Sequence, residues 1–352
     1  MNFTIVPGDI PNEGIMFVNH SSKQRSGHLS HALTEYRKGC VFALWSNCSG
    51  KRNRWAPGHN GFGWLEYATS SDMGDTWSQP RILQYSMDSI LNEPFTVSCE
   101  KAVSPHDDRI VLFCIRNENP NGWEPYLEPV VLVSDDAGES WSEPRKLCEQ
   151  KGRIYDAMII DGSIYVLMLA NDDFATSKPE HRYQIYVSHD QGESFRLLSE
   201  LPGEYLRHAY GSLERLPDGS LICYTYNEQD EFHLDYWISR DKGVSWPERG
   251  KSFCKRRIRN PQVARVKGGY ILHGRSGCMD ASLPMQFVLY TSEDGLHWDD
   301  VIILCDKRGN AAYYSNNLVM NRDDGSQRVL IQASVTYEAA RVNIAHWMLE
   351  FE

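Results

Sequence analysis

Five times along the chain the same short pattern returns: Ser-x-Asp-x-Gly-x-x-Trp, or a close variant. It runs from Ser70-x-Asp72-x-Gly74-x-x-Trp77 and Ser134-x-Asp136-x-Gly138-x-x-Trp141 to Ser188-x-Asp190-x-Gly192-x-x-Phe195 and Ser239-x-Asp241-x-Gly243-x-x-Trp246. The last copy, Ser292-x-Asp294-Gly295-x-x-Trp298, is one residue short. The aspartates are 64, 54, 51 and 53 residues apart, room for four short strands and their turns. A period of that size is the size of one blade of a β-propeller.

Each copy follows a short β-rich run, such as Pro129-Val130-Val131-Leu132-Val133, and precedes another strand start. Ser and Asp side chains can bond the turn's own backbone, Gly supplies a positive φ, and Trp fills the gap between neighbouring blades. Evenly spaced aspartates also invite a reading as metal ligands or acid catalysts. A hairpin staple needs every one of these residue types, so they are read as fold markers.

The motif resembles the Asp-box of the sialidase (neuraminidase) superfamily, and the resemblance spans nearly the whole chain. It implies an all-β, six-bladed propeller, for which 352 residues suffice at about 50 to 55 per blade. No composition break divides the chain, so residues 1–352 are expected to form one domain. Helix signals are nearly absent. Blade 6 has no Asp-box; Phe3-Thr4-Ile5-Val6 is expected to pair with Ile344–Leu349 and close the ring without a free edge.

A formal charge of −11 argues against nucleic acid or an anionic membrane surface as a partner. The nine cysteines lack a Cys-x-x-Cys pair, and several lie in apolar runs. They read as reduced, buried thiols rather than a zinc site or a disulfide framework. With no basic, apolar leader at Met1–Gly8, a cytoplasmic location is expected, or a leader already removed. No cofactor or metal is expected. The sequence is compatible with a homo-oligomer.

In an up-and-down blade the start of strand 1 and the loop between strands 2 and 3 share one end, while the Asp-box turn lies at the other. The strand starts then bring His28, His31, Glu93, Tyr155, Asp156, Arg207, His208, Tyr210, Arg259, Tyr313 and Tyr314 to one face. The loops add Arg54, Arg116 and Arg275, with Trp55, Trp123 and Tyr337 as aromatic platforms. Inner strand starts are ordinarily apolar, so this density of His, Tyr, Arg and carboxylate points to a site. Arginines gathered in an acidic protein imply an anionic ligand, because the planar guanidinium fits a carboxylate and keeps its charge when buried.

What the sialidase resemblance implies is a terminal acidic sugar removed by a Tyr nucleophile, with arginines on its carboxylate and an acid for the leaving group. On this chain Tyr314 or Tyr313 would attack, assisted by Glu93, while Asp156 or His31 would protonate the leaving group. Arg116, Arg275 and Arg259 would hold the acid group, with Arg207, Arg54, His208, Tyr210 and Tyr155 as further substrate contacts. The sequence departs from the family in two places: His28-Leu29-Ser30-His31 stands at blade 1 where an Arg-Ile-Pro is expected, and Arg207-His208-Ala209-Tyr210 stands at blade 4 where a Glu and an Arg are expected. Two other readings follow: a lyase acting on uronic-acid glycans, with His28, His31 and Tyr155 carrying protons, and a carbohydrate-binding propeller without catalysis.

Overall fold

The computed structural model describes residues 1–6, 14–49, 63–92, 95–118, 126–173, 178–276, 285–307, 312–339 and 341–352. Two short strands open the chain, β1 (Thr4–Val6) and β2 (Ile15–Val18). Blade 1 is β3 (Leu33–Arg37), β4 (Cys40–Cys48), β5 (Gly63–Ser70) and β6 (Arg81–Ile82). The one α-helix among the described residues, α1 (Gln84–Asn92), leads into blade 2, β7 (Phe95–Val103), β8 (Ile110–Glu118), β9 (Val130–Ser134) and β10 (Arg145–Lys146). Blade 3 is β11 (Gly152–Ile160), β12 (Ser163–Ala170), β13 (Arg182–Ser188) and β14 (Arg196–Glu200). Blade 4 follows as β15 (His208–Arg215), β16 (Leu221–Asn227), β17 (His233–Ser239) and β18 (Glu248–Phe253). Blade 5 is β19 (Arg259–Val266), β20 (Gly269–Arg275), β21 (Phe287–Ser292) and β22 (Ile302–Cys305). Blade 6 takes β23 (Ser315–Asn321), β24 (Gln327–Glu338) and β25 (Arg341–Phe351) from the C-terminus.

The ring closes as the termini suggest. In β1, Thr4 pairs with Glu350, Ile5 with Leu349 and Val6 with Met348, all antiparallel. The second N-terminal strand extends the same edge, Ile15 opposite His346 and Met16 opposite Ala345. The long β25 edge is therefore covered along most of its length.

Helix α1 is a feature the sequence reading did not anticipate. Its polar sequence hid it, since Ser86, Ser89 and Ile90 are the residues it buries. Ser86 is held from both sides, its hydroxyl donating to Leu83 O at 2.6 Å and accepting from Leu65 N at 2.8 Å. The helix ends two residues before Pro94, where the pre-proline restriction disfavours helical backbone.

Each Asp-box builds its own turn. In the first, Ser70 Oγ donates to Asp72 Oδ1 at 2.7 Å and accepts from Gly74 N at 2.9 Å. Asp72 Oδ1 accepts from Thr76 N at 2.8 Å, and its other oxygen takes the Thr76 hydroxyl. The same set recurs at Asp136, Asp190 and Asp241. In the shortened fifth box Asp294 accepts instead from Leu296 N and His297 N. The residue before each full-length Gly also takes a left-handed φ, 57° to 60° at Met73, Ala137, Gln191 and Lys242.

The box aromatics join the blades. Trp141 of blade 2 meets Phe42 and Tyr67 of blade 1 with centroids 5.7 and 5.8 Å apart. Phe195 reaches Phe113 at 5.7 Å, Trp246 Nε1 donates to Ser199 Oγ at 3.0 Å, and Trp298 Nε1 to Ser252 Oγ at 2.7 Å. Trp77 of blade 1 packs on Phe17 of β2 at 4.9 Å, which sews the seam at the ring closure. Every box side chain thus buries its ring against the preceding blade.

The box turns sit at the far end of the strands from the axial site. Met73 N donates to Gly39 O, and Ala137 N to Asp108 O, so each bonds a turn between the first two strands of a blade. A test follows from Asp241, whose carboxyl is held down at about 2, first by the Ser245 hydroxyl and then by the Ser245 amide. An unfolded Asp titrates near ~3.9, so this stabilisation is complete above that pH and is lost as pH falls through about 2. Asp241→Ala should cost about 1 kcal/mol at neutral pH through lost turn hydrogen bonds. In urea titrations its deficit against the parent should shrink toward acid over that window, with ligand binding unchanged.

Candidate active site

The inner strands approach the axis in irregular conformations, and that irregularity builds the site. Register shifts interrupt β7 between Cys99 and Lys101, β11 between Ile154 and Asp156, β15 between Ala209 and Gly211, and β19 between Arg259 and Gln262. The residues left over are Glu100, Tyr155, Tyr210 and the Asn260-Pro261 pair. A bulge re-aims the extra residue's side chain. Tyr210 and Asn260 sit at φ 50° and 54°, and Ser30 and Tyr313 take positive φ at the corresponding places in blades 1 and 6. Such backbone costs of order 1–3 kcal/mol per residue and gathers at working sites.

The cavity at the axis is lined by His31, Glu100, Tyr155, Tyr210, Asn260 and Tyr314, among others, and measures about 20 Å³. That is room for a group the size of a water molecule.

Two tyrosines stand at its centre. Tyr210 Oη and Tyr314 Oη are 2.9 Å apart and hydrogen-bonded. Three arginines surround them. The Arg153 guanidinium lies 5.5 Å from the Tyr210 ring and 5.2 Å from the Tyr155 ring. Arg259 lies 5.6 Å from Tyr210 and 5.1 Å from Tyr226, and Arg275 lies 5.1 Å from Tyr314. Arg275 is 4 % exposed, and its polar partner among the described residues is the Met285 sulfur at 3.9 Å. Its Nε is buried with no acceptor. Gly274, just before it, lies 2.7 Å from Arg259 O at the point where a Cβ would stand, so only glycine lets β20 pass this close to the bulge.

The two phenols are driven apart electrostatically. Burial pushes Tyr210 up, but Arg259, Arg275 and Arg153, with the hydrogen bond to Tyr314, outweigh it and leave it below the ordinary tyrosine value. Burial and the neighbouring Tyr210 raise Tyr314 instead. The arginines thus favour the ionised form of Tyr210 over that of Tyr314.

Below the tyrosines lies an ionic plug. Lys101 Nζ is 2.9 Å from Asp156 Oδ1, and it donates to Gln262 Oε1 at 2.8 Å and Asn316 Oδ1 at 2.6 Å. Asp156 Oδ2 accepts from Ser212 Oγ at 3.1 Å and Leu213 N at 2.8 Å, and Oδ1 from Ala157 N at 2.8 Å. Asp156 is thus occupied by structural partners, which leaves little of its carboxylate for proton delivery.

The other expected residues distribute as follows. His28 lies against the Tyr314 ring at 4.4 Å, and its carbonyl bonds His31 Nε2 at 3.1 Å. Burial lowers His31 to about 4, so it is neutral near pH 7 rather than the ready proton carrier expected. Tyr313 turns away into the core, stacked on Phe287 at 5.5 Å with its hydroxyl on Lys307 O. Arg116 bonds Glu128, its Nε 2.9 Å from the Glu128 carbonyl. Arg207 is exposed at 3.5 Å from Glu228, and His208 Nε2 is 2.9 Å from Asp235. Tyr337 donates to Arg25 O at 2.6 Å. Glu93, Arg54, Trp55 and Trp123 lie outside the described residues.

Three participants escaped the sequence reading: Arg153, Glu100 and Lys101. Arg153 pairs with Glu100, and its Nη1 donates to Tyr126 Oη at 3.0 Å. A signal was there in both cases. Arg153 stands two residues before Tyr155, and Glu100-Lys101 places two charges side by side within an inner strand.

No protein-family model matches the sequence, and no curated protein sequence matches it. Solved structures do. A protein of unknown function from Dyadobacter fermentans superposes with a TM-score of 0.71 at 15 % identity, over 96 % of this chain and 98 % of that one. A Hadza microbial sialidase gives 0.67 at 16 % identity, over 96 % of this chain and 70 % of that one. The phage phi92 endosialidase gives 0.67 at 10 % identity, over 99 % and 69 %. The chain is a sialidase-like six-bladed propeller.

The plug makes a prediction about Asp156. Removing one partner of a buried ion pair costs about 3–5 kcal/mol, because the other charge is left unpaired. Asp156→Ala should therefore show a large fall in urea midpoint. A variant that stays as stable as the parent yet loses all function would instead mark Asp156 as a reacting group.

Proposed function

We propose that the protein is a glycosidase that releases a terminal sugar bearing a carboxylate. The observation that carries the reading is the convergence of Arg153, Arg259 and Arg275 on one tyrosine pair at the propeller axis. The arginines would receive the carboxylate, with Arg275 the most available, since its polar partner among the described residues is the Met285 sulfur, whereas Arg153 is paired with Glu100. Forked guanidiniums suit a planar anion better than ammonium groups do. Tyr314 would attack the anomeric carbon. A neutral phenol approaches an anionic sugar without the repulsion a carboxylate would meet, and it divides the reaction into two easier displacements. The named sialidases among the structural neighbours act on sugars of this class and support the choice of substrate.

A second reading is favoured by one specific feature: Tyr314 is hydrogen-bonded to a second phenol, that of Tyr210. β-Elimination from a uronic-acid glycan would use the arginines to neutralise the acid group and the tyrosine pair to take the proton beside it.

Incubation with sialosides and uronic-acid oligosaccharides separates these. Products that together gain the mass of water support the glycosidase. New ultraviolet absorbance without water uptake supports elimination, and binding without turnover supports a lectin-like role. Charge recognition has its own test. Arg275→Lys and Arg275→Ala should each weaken an acidic ligand by roughly ten- to a hundredfold, a loss of about 1.5–3 kcal/mol. Arg207→Ala, at the exposed rim, should change it little. A neutral analogue that performs as well as the acidic sugar would overturn the reading.

A further inference from the structure

A carboxylate base beside Tyr314 is what the sialidase resemblance leads one to expect at blade 4, and Tyr210 stands there instead. We propose that Tyr210 is the base of this site: its phenolate, held by three guanidiniums, takes the Oη proton of Tyr314 as Tyr314 attacks the sugar. The inference rests on the glycosidase reading and names the group that reading leaves unassigned.

The geometry supports it from every side. The 2.9 Å contact between the two hydroxyls is a proton-transfer distance. Arg153 and Tyr155 approach Tyr210 from β11, Arg259 from β19, and Arg275 stands behind Tyr314 from β20. Tyr226 of β16 packs on the ring at 5.7 Å. On Tyr210's own strand, His208 turns away to Asp235. Of the nearby acids, Glu100 pairs with Arg153, Asp156 with Lys101, and buried Glu231 accepts from Tyr226 Oη at 2.6 Å. The positive φ of 50° and the bulge at Tyr210 show that the backbone is bent to hold this ring in place. The Tyr183 hydroxyl adds a bond of 3.0 Å to the Tyr210 carbonyl.

The proton balance closes. Tyr314 Oη bonds the anomeric carbon, and its proton passes to the Tyr210 phenolate. The pair of the broken C–O bond leaves with the aglycone oxygen, which takes a proton from water. In the second step water attacks the glycosyl-tyrosine and yields the free sugar and a proton. Tyr314 leaves as phenolate and recovers its proton from Tyr210, restoring the starting state.

A spectrophotometric titration of the intact protein reads the phenolate without needing turnover. Of the eighteen tyrosines, several buried ones, including Tyr183 and Tyr224, are pushed upward by burial and cannot contribute an early step. The expected result is about one tyrosinate band forming below the ordinary value of ~10. It should be lost in Tyr210→Phe and kept, with a changed midpoint, in Tyr314→Phe. If Tyr210→Phe fails to fold, 3-fluorotyrosine placed at 210 reports the same ionisation through its fluorine shift. No early band, or a band that survives in Tyr210→Phe, overturns the proposal. With a turned-over acidic sugar, the rising limb of kcat/KM against pH should share the band's midpoint, and Tyr210→Phe should lose at least ~100-fold in kcat. Turnover without the band refutes Tyr210 as base and leaves the glycosidase intact. The band without turnover refutes the glycosidase and leaves the ionised pair.

Discussion

The geometry of the ring axis depends on one buried ion pair, Lys101 with Asp156. Its partners reach across the propeller: Lys101 comes from blade 2, Asp156 from blade 3, Ser212 and Leu213 from blade 4, Gln262 from blade 5 and Asn316 from blade 6. Blade 1 joins through Ser30 Oγ, which accepts from Cys99 N at 2.9 Å beside the plug. Two charges taken from water are costly unless geometry and added hydrogen bonds compensate. Here every oxygen of Asp156 has a donor, so the pair fixes how the inner strands meet. An apolar plug would pack as well but would not specify the angle between blades as sharply.

The fold was legible because its determinants are local. A box Ser bonds the amide four residues on, the Asp bonds the residue four after it, and the Trp reaches the blade just completed. All of this lies within one repeat or its neighbour, and the sequence states it directly. The site was legible only in outline, because its determinants are register and bulge. Tyr313 and Tyr314 are adjacent in sequence, and only the positive φ at Tyr313 decides that one enters the core while the other meets the axis. Arg116 and Arg153 are told apart only by strand phase, which the sequence does not state. Strand β8 turns Arg116 toward Glu128 and Phe95, whereas β11 carries Arg153 inward with Tyr155. Helix α1 was missed for a related reason, since serines bury its face through hydrogen bonds that hydropathy does not record.

A chain of net charge −11 nonetheless concentrates cations at its axis. Most other arginines spend their charge on nearby acids: Arg109 on Asp135 and Glu193, Arg240 on Asp218 and Glu248, Arg328 on Asp75 and Glu350. Arg275 departs from that habit, facing a thioether and an aromatic ring. An aromatic face steadies a guanidinium without neutralising it, so the charge stays available to a ligand. The tyrosines around the site therefore do more than fill space. They supply aromatic neighbours to all three arginines, with Glu100 the carboxylate paired to Arg153, and Tyr210 takes the place where the resemblance expects a Glu.

That substitution gives a reason for a phenol at position 210. A glutamate among three guanidiniums would be ionised permanently and would compete with the ligand's own carboxylate for the same forks. A phenol can be neutral or charged, and the cage sets the balance. On the proposed reading, the carboxylate of an acidic sugar would add negative charge beside the pair and raise the proton affinity of Tyr210. Tyr210 would then, on that reading, be a stronger base toward Tyr314 with substrate bound than without it.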